Sequence, residues 1–117
     1  MVRNGDLSRD NPPWRDGYVS GSGSVRLHYV ATGPSEFDRA TPLIILLHGF
    51  PECWLTWWHQ LSPLGYIGRT IALDLRGYNL SDKPTGISAY QIESLSEDVR
   101  SAIGSFGTEP GPRRPPE

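Results

Sequence analysis

Five consecutive aliphatic residues, Leu43-Ile44-Ile45-Leu46-Leu47, run straight into His48-Gly49-Phe50-Pro51. No polar residue alternates with them, so both faces of the segment need cover. That is the pattern of a central strand in a parallel sheet with helices on each side. Five residues are too few for a buried helix, and Gly49 and Pro51 break the chain immediately afterwards. The strand therefore delivers a special loop at its C-terminal end, the edge at which open α/β sheets bind ligands.

With 117 residues, 37% of them hydrophobic, the chain can build one small domain with a modest core. Single-domain α/β enzymes run to roughly 200–250 residues. A net charge of −2, with no Lys/Arg run beside aromatics, excludes the electrostatic footprint of a nucleic-acid binder. The one cysteine, Cys53, has no partner for an internal disulfide and fits a reducing compartment. Residues 1–6 lack the apolar core of a signal peptide, and no apolar run approaches the ~20 residues of a membrane span. The expectation is a soluble, cytoplasmic protein.

Residues 1–16 read as a flexible arm, broken by Asn11-Pro12-Pro13, with Trp14 pinned to the body. Tyr18-Val19-Ser20 and Val25 to Val30 predict an antiparallel hairpin at a sheet edge, turning through Gly21-Ser22-Gly23-Ser24. Alternation puts Arg26 and His28 on its wet face. Gly21 and Gly23 do not open a phosphate loop, because Arg26 stands where the third glycine of Gly-x-Gly-x-x-Gly belongs. Leu55, Trp58 and Leu61 predict a short helix over 54–61, ended by Pro63 and Gly65. Thr70 to Leu73 predicts a second central strand, parallel to the first. Ser88 to Gln91 matches a capping box. It precedes Ile92, Leu95, Val99, Ala102, Ile103 and Phe106, an amphipathic helix that Gly107 stops. Residues 108–117 carry four prolines and no aliphatic or aromatic side chain, and read as a disordered tail.

Two motifs now stand in order. One is His48-Gly49-Phe50-Pro51-Glu52, followed by Trp54 and Trp57-Trp58. The other is Leu73-Asp74-Leu75-Arg76-Gly77-Tyr78-Asn79-Leu80-Ser81-Asp82-Lys83-Pro84. With the preceding hairpin, they make residues 17–107 resemble the N-terminal part of an epoxide hydrolase of the α/β-hydrolase superfamily. Haloalkane dehalogenases share that scaffold but usually carry Asn where Phe50 stands. The resemblance implies an incomplete α/β-hydrolase fold, with an antiparallel hairpin leading into parallel strands flanked by helices. In the family an Asp opens the epoxide to an alkyl-enzyme ester, which a His–acid pair hydrolyses to the diol. By resemblance, the backbone N–H of Phe50 is an oxyanion-hole donor, of a kind worth ~3 kcal/mol. Phe50, Pro51 and Trp54 would line the substrate cavity, with His48, Gly49, Asp74, Arg76 and Gly77 supporting the site. The implied substrate is a small hydrophobic epoxide or ester. No cofactor, metal, nucleic acid or membrane partner is expected.

No Gly-x-Asp-x-Gly or Gly-x-Ser-x-Gly elbow occurs in the 117 residues. The hydrophobic pattern breaks at Ser105-Phe106-Gly107-Thr108 and gives way to Pro, Arg and Gly, residues of G/C-rich codons. The expectation is a chain truncated before its nucleophile, by frameshift or premature end, and inactive alone. Translating the downstream nucleotides in the other frames tests this, since absence there of a strand and Gly-x-Asp-x-Gly contradicts it. The alternatives are a non-catalytic fragment or interaction module that self-associates through an open sheet edge, and a serine esterase or haloalkane dehalogenase of the same superfamily. His28 and His59 read as surface residues and Cys53 as a semi-buried thiol. His48, Cys53 and His59 fit no zinc spacing. Asp74 and Asp82 read as turn organisers, Arg76 as a structural arginine, and the tryptophans as packing.

Overall fold

The computed structural model describes residues 14–35, 40–49 and 52–107. Four strands form one sheet: β1 (Arg15–Ser20), β2 (Arg26–Thr32), β3 (Leu43–Leu47) and β4 (Arg69–Leu73). Their spatial order is β1-β2-β4-β3. β1 and β2 form the antiparallel hairpin, β2 pairs antiparallel with β4, and β3 pairs parallel with β4. Two helices, α1 (Trp58–Gly65) and α2 (Ile92–Phe106), complete the described elements, each preceded by a 3-10 turn, Trp54–Trp57 and Ile87–Tyr90.

The period-2 geometry of the strands splits the core into two clusters. Leu27, Leu73 and Ala102 of α2 pack together with Val19, Tyr29 and Phe106 beside them. Val30, Ala72 and Leu61 of α1 pack with Trp14, Leu46, Trp54 and Trp57. Leu73 and Ala72 are consecutive in β4, so the two clusters lie on opposite faces of the sheet. Each fully buried side chain such as Leu27 or Leu61 contributes about 1.5–3 kcal/mol.

The fully covered strand is β4, where Thr70 to Leu73 are all buried. β3 departs from the expectation of a central strand. Among the described residues it pairs with β4 alone, its residues are half-buried, and Leu47 is 41% exposed. Its aliphatic run demands cover on two faces, but only one of its edges is paired. β1 begins at Arg15, three residues before the expected Tyr18, so Arg15 and Asp16 belong to the sheet. Trp14 packs on the core as expected. Residues 1–13 and 108–117, read as arm and tail, lie outside the described residues.

The helices also differ from the pattern in the sequence. Pro63 lies inside α1, which runs on to Gly65 because Leu61 is anchored in the core and the last turn closes with tight bonds, such as Ile67 N–H to Leu64 O at 2.9 Å. The Ser88–Gln91 capping box does not form. Ser88 sits in the 3-10 turn, and Gln91 is the extended N-cap of α2, with no side-chain capping bond. Tyr90 Oη donates to Pro84 O at 2.7 Å and Arg76 Nη1 to Ala89 O at 2.8 Å, which hold this segment as a separate turn. On α2, Ile92 and Ile103 are exposed, while the buried stripe contains Asp98 and Ala102. A carboxylate therefore occupies the centre of the inward face.

Candidate active site

The parallel pair β3 and β4 ends on one edge of the sheet, and the segments that follow them are tied together there. His48 is the bracket. Leu75 N–H donates to its Nε2 at 3.0 Å, so Nδ1 carries the ring proton and donates to Gly49 O at 2.8 Å. Gly49 O also accepts Glu52 N–H at 2.9 Å, and Glu52 Oε1 accepts Gly49 N–H at 3.2 Å. The ring of Tyr78 closes over His48 in an edge contact at 4.9 Å. His48 thus spends both nitrogens holding two loops in register. Phe50 and Pro51, the expected oxyanion donor and cavity wall, lie outside the described residues.

Asp74 follows β4 and is fully buried. Its Oδ1 accepts Trp54 N–H at 2.7 Å, while Oδ2 accepts Asn79 Nδ2–H and faces His28 Nδ1, at 2.8 and 2.7 Å. One carboxylate therefore fixes the start of the segment after the loop, its own turn and the hairpin. Asp82 extends the β2 pairing past the end of β4: its N–H donates to Arg26 O and its Oδ2 accepts Arg26 N–H, at 2.9 and 2.8 Å. The turn-organising roles expected of Asp74 and Asp82 are what the geometry shows.

His28 corrects the expectation of a surface residue. It is buried, with Nδ1 on Asp74 and Nε2 at 2.9 Å from Asp16 Oδ2. The alternation of β2 does place it opposite Leu27, but that face, shared with Val30, carries the cluster of Leu61, Trp14 and Trp54, and the carboxylates of Asp16 and Asp74 close on the ring. The register Tyr29↔Leu73 sets His28 across from Asp74. A pairing of β2 with β4 would have exposed this in the sequence; a hairpin read by itself does not. Beside His28 lies a cavity of about 320 Å³ lined by Trp14, Arg15, Asp16, Val30, Trp54 and Leu80. Trp14, Trp54 and Trp58 pack against one another, with centroids 4.9–6.1 Å apart.

Arg76 lies in a second network. Its Nε and Nη2 make a bidentate pair with Asp98 at 2.6 and 2.8 Å, and Asp98 also accepts Ser22 N–H at 2.7 Å. The hydrogen bond to Asp98 raises the Arg76 pKa still further above its ordinary value. Gly21 allows this approach, since a Cβ there would lie 2.6 Å from Asp98 Oδ1. Gly77 has φ +89, and a Cβ on it would meet the Tyr90 ring at 2.7 Å. Cys53 is half-buried and free, and His59 is exposed. Among the described residues no cluster of His, Cys, Asp and Glu could hold a metal ion, and no helix is long and apolar enough to cross a membrane.

Comparison with known proteins adds to this geometry. The family model described as alpha/beta hydrolase fold matches residues 42–109. Over 80 residues, 68% of this chain, the sequence is 44% identical to "Epoxide hydrolase 2" of Caenorhabditis elegans, covering 21% of that protein. Over 86 residues, 73% of this chain, it is 49% identical to "AB hydrolase superfamily protein YfhM" of Bacillus subtilis, covering 29% of it. The crystal structure of epoxide hydrolase VrEH1 from Vigna radiata superimposes with a TM-score of 0.71 at 34% identity, over 81% of this chain and 29% of that one. The chain thus spans between a fifth and a third of the length of these relatives.

Proposed function

Because this chain belongs to the α/β-hydrolase family, we propose that it supplies the oxyanion-loop part of an epoxide hydrolase site, where water converts a small hydrophobic epoxide to a diol. The observation that carries the reading is the His48 bracket, which holds the start of the 49–52 loop against Leu75 at the ligand edge of the sheet. Similarity to proteins named epoxide hydrolases supports it.

In this reading a carboxylate attacks an epoxide carbon, the C–O bond breaks, and the ring oxygen takes a proton. Water, giving up a proton to a base, then adds to the ester carbonyl; the oxygen that becomes negative receives the Phe50 N–H, and collapse breaks the acyl C–O bond, so that the alkoxide takes up the proton and leaves as the diol while the carboxylate is restored. Phe50, Pro51 and Trp54 are the residues this reading assigns to the substrate cavity. His48, Gly49, Asp74, Arg76 and Gly77 hold the surrounding backbone. No elbow motif for the nucleophile occurs among these 117 residues, so the isolated chain does not turn over; diol formation from a styrene-type epoxide by the purified chain would sink that statement. A chimera tests the loop itself. Residues 17–107 replace the matching segment of the Vigna radiata enzyme, and diol formation is expected. Phe50→Pro removes the donor N–H and should lower kcat about 10²-fold. An unchanged kcat overturns the role given to Phe50.

One observation favours a second reading, self-association. Among the described residues β3 pairs on one side only, with Leu47 exposed at its end. Sedimentation showing a monomer at every concentration, for wild type and Leu47→Lys alike, removes it.

A further inference from the structure

We propose that His28 is an imidazolium shared between Asp16 and Asp74, and that its Nδ1–H positions the Asp74 carboxylate which holds Trp54 at the site. A neutral imidazole has one N–H and one lone pair. Here both ring nitrogens face carboxylate oxygens, at 2.7 Å for Asp74 Oδ2 and 2.9 Å for Asp16 Oδ2. With one proton on the ring, one contact would set a lone pair against an anionic oxygen inside hydrogen-bond distance. The three groups therefore hold two protons between them. Asp16 is 64% exposed and solvated, whereas Asp74 is fully buried and already accepts two neutral donors. Both protons belong on the ring, where they give the buried carboxylate its counter-charge.

The surroundings fit this assignment. From β1 the ring meets Asp16 and the edge of Tyr18, centroids 5.6 Å apart, while Arg15 lines the same cavity and is turned onto Gly33 O and Pro34 O. Arg26 of its own strand lies over the far ring of Tyr18, 4.5 Å from the centroid. From β4 comes Asp74, and from the loops Trp54 and Leu80 bring no charge. Asp74 Oδ1 can aim at Trp54 N–H only while Oδ2 is held, by His28 and Asn79.

This inference rests on the proposed site only for the use to which Trp54 is put, and its test needs no turnover. Long-range ¹⁵N spectra of the 117-residue chain at neutral pH are expected to show two N–H groups on His28 and one, at Nδ1, on His48. A bare nitrogen on His28 overturns the assignment. Asp16→Asn, at an exposed position, should leave His28 with Nδ1–H alone; a ring still doubly protonated there overturns the sharing. His28→Asn keeps a donor near Nδ1 and should preserve the exchange protection of the Trp54 amide. His28→Gln places its donor near Nε2 and should speed that exchange about tenfold to hundredfold, the worth of one hydrogen bond to a charged group. Equal behaviour of the two variants overturns the positioning role. Should either not fold, the wild-type and Asp16→Asn spectra decide. A chimera without turnover beside these signals would defeat the epoxide hydrolase reading and leave His28 as assigned.

Discussion

Asp74 and Asp98 are both fully buried, and each accepts three donors, yet they are neutralised by different means. Asp98 faces the forked guanidinium of Arg76, a permanent cation whose two N–H groups match the carboxylate edge. Asp74 faces the imidazole of His28, which reaches it through the single nitrogen Nδ1. The first carboxylate ties α2 to the hairpin turn and to Arg76 in the segment after β4. The second gathers the segments at the ligand edge of the sheet. One carboxylate is matched by the fork of a single side chain together with one backbone N–H, the other by single donors from three separate segments.

The largest effect expected is on the fixed pair. Asp98→Ala leaves a buried guanidinium unpaired and should cost about 3–5 kcal/mol, read as the shift of the urea midpoint. Replacing both partners, Arg76→Met with Asp98→Leu, should recover much of that loss; a double variant as unstable as the single would break the account of Asp98 as a charge partner. Asp74→Ala strands two neutral donors and one charged one, at roughly 3 kcal/mol, and should also abolish protection of the Trp54 amide, which Asp98→Ala leaves in place wherever it folds. Gly77→Ala, forced into the left-handed region against Tyr90, should cost about 2 kcal/mol by thermal unfolding.

The Arg76–Asp98 pair also sets a pH dependence. The folded-state pKa of Arg76 is raised above its unfolded value, so its contribution is fully present below the unfolded value and is lost only as pH rises through the folded one. Both lie above the range in which proteins are handled. The stability gap between wild type and the Arg76→Met, Asp98→Leu double variant should therefore stay level from neutral to mildly alkaline pH. A gap that narrows there would show a titratable partner at Asp98. The smallest effect is the control: Arg100→Ala removes an exposed pair with Glu97 and should change stability by no more than about 0.5 kcal/mol.

The sheet, its hairpin and both helices were legible because periodicity and breakers report on local cover. His48, Arg76 and Asp74 stood out as polar side chains in loops, but the partner of Arg76 did not, because Asp98 lies on a helix 22 positions further on. His28 was not legible. Its spacing within β2 marks an outward face, and only the antiparallel addition of β2 to β4 brings Asp74 over it. Ile92 and Ile103 misled for the opposite reason: helical spacing counts apolar residues, and here the inward stripe is centred on Asp98. The capping box failed because Tyr90 and Ala89 were already engaged by Pro84 and Arg76, contacts between segments that no local motif encodes.

The strand order β1-β2-β4-β3 sets a sequence of events during synthesis. The hairpin and β3 leave the ribosome before β4, yet neither can join the other without it. Until Arg69–Leu73 emerges, the aliphatic run of β3 has no backbone partner and His28 has no Asp74. β4 is thus the keystone whose arrival couples the two halves, and non-local closures of this kind are slow and leave sticky edges waiting. Between the translation of Leu47 and that of Asp74, the most apolar strand of the chain is without the backbone partner it has in the fold.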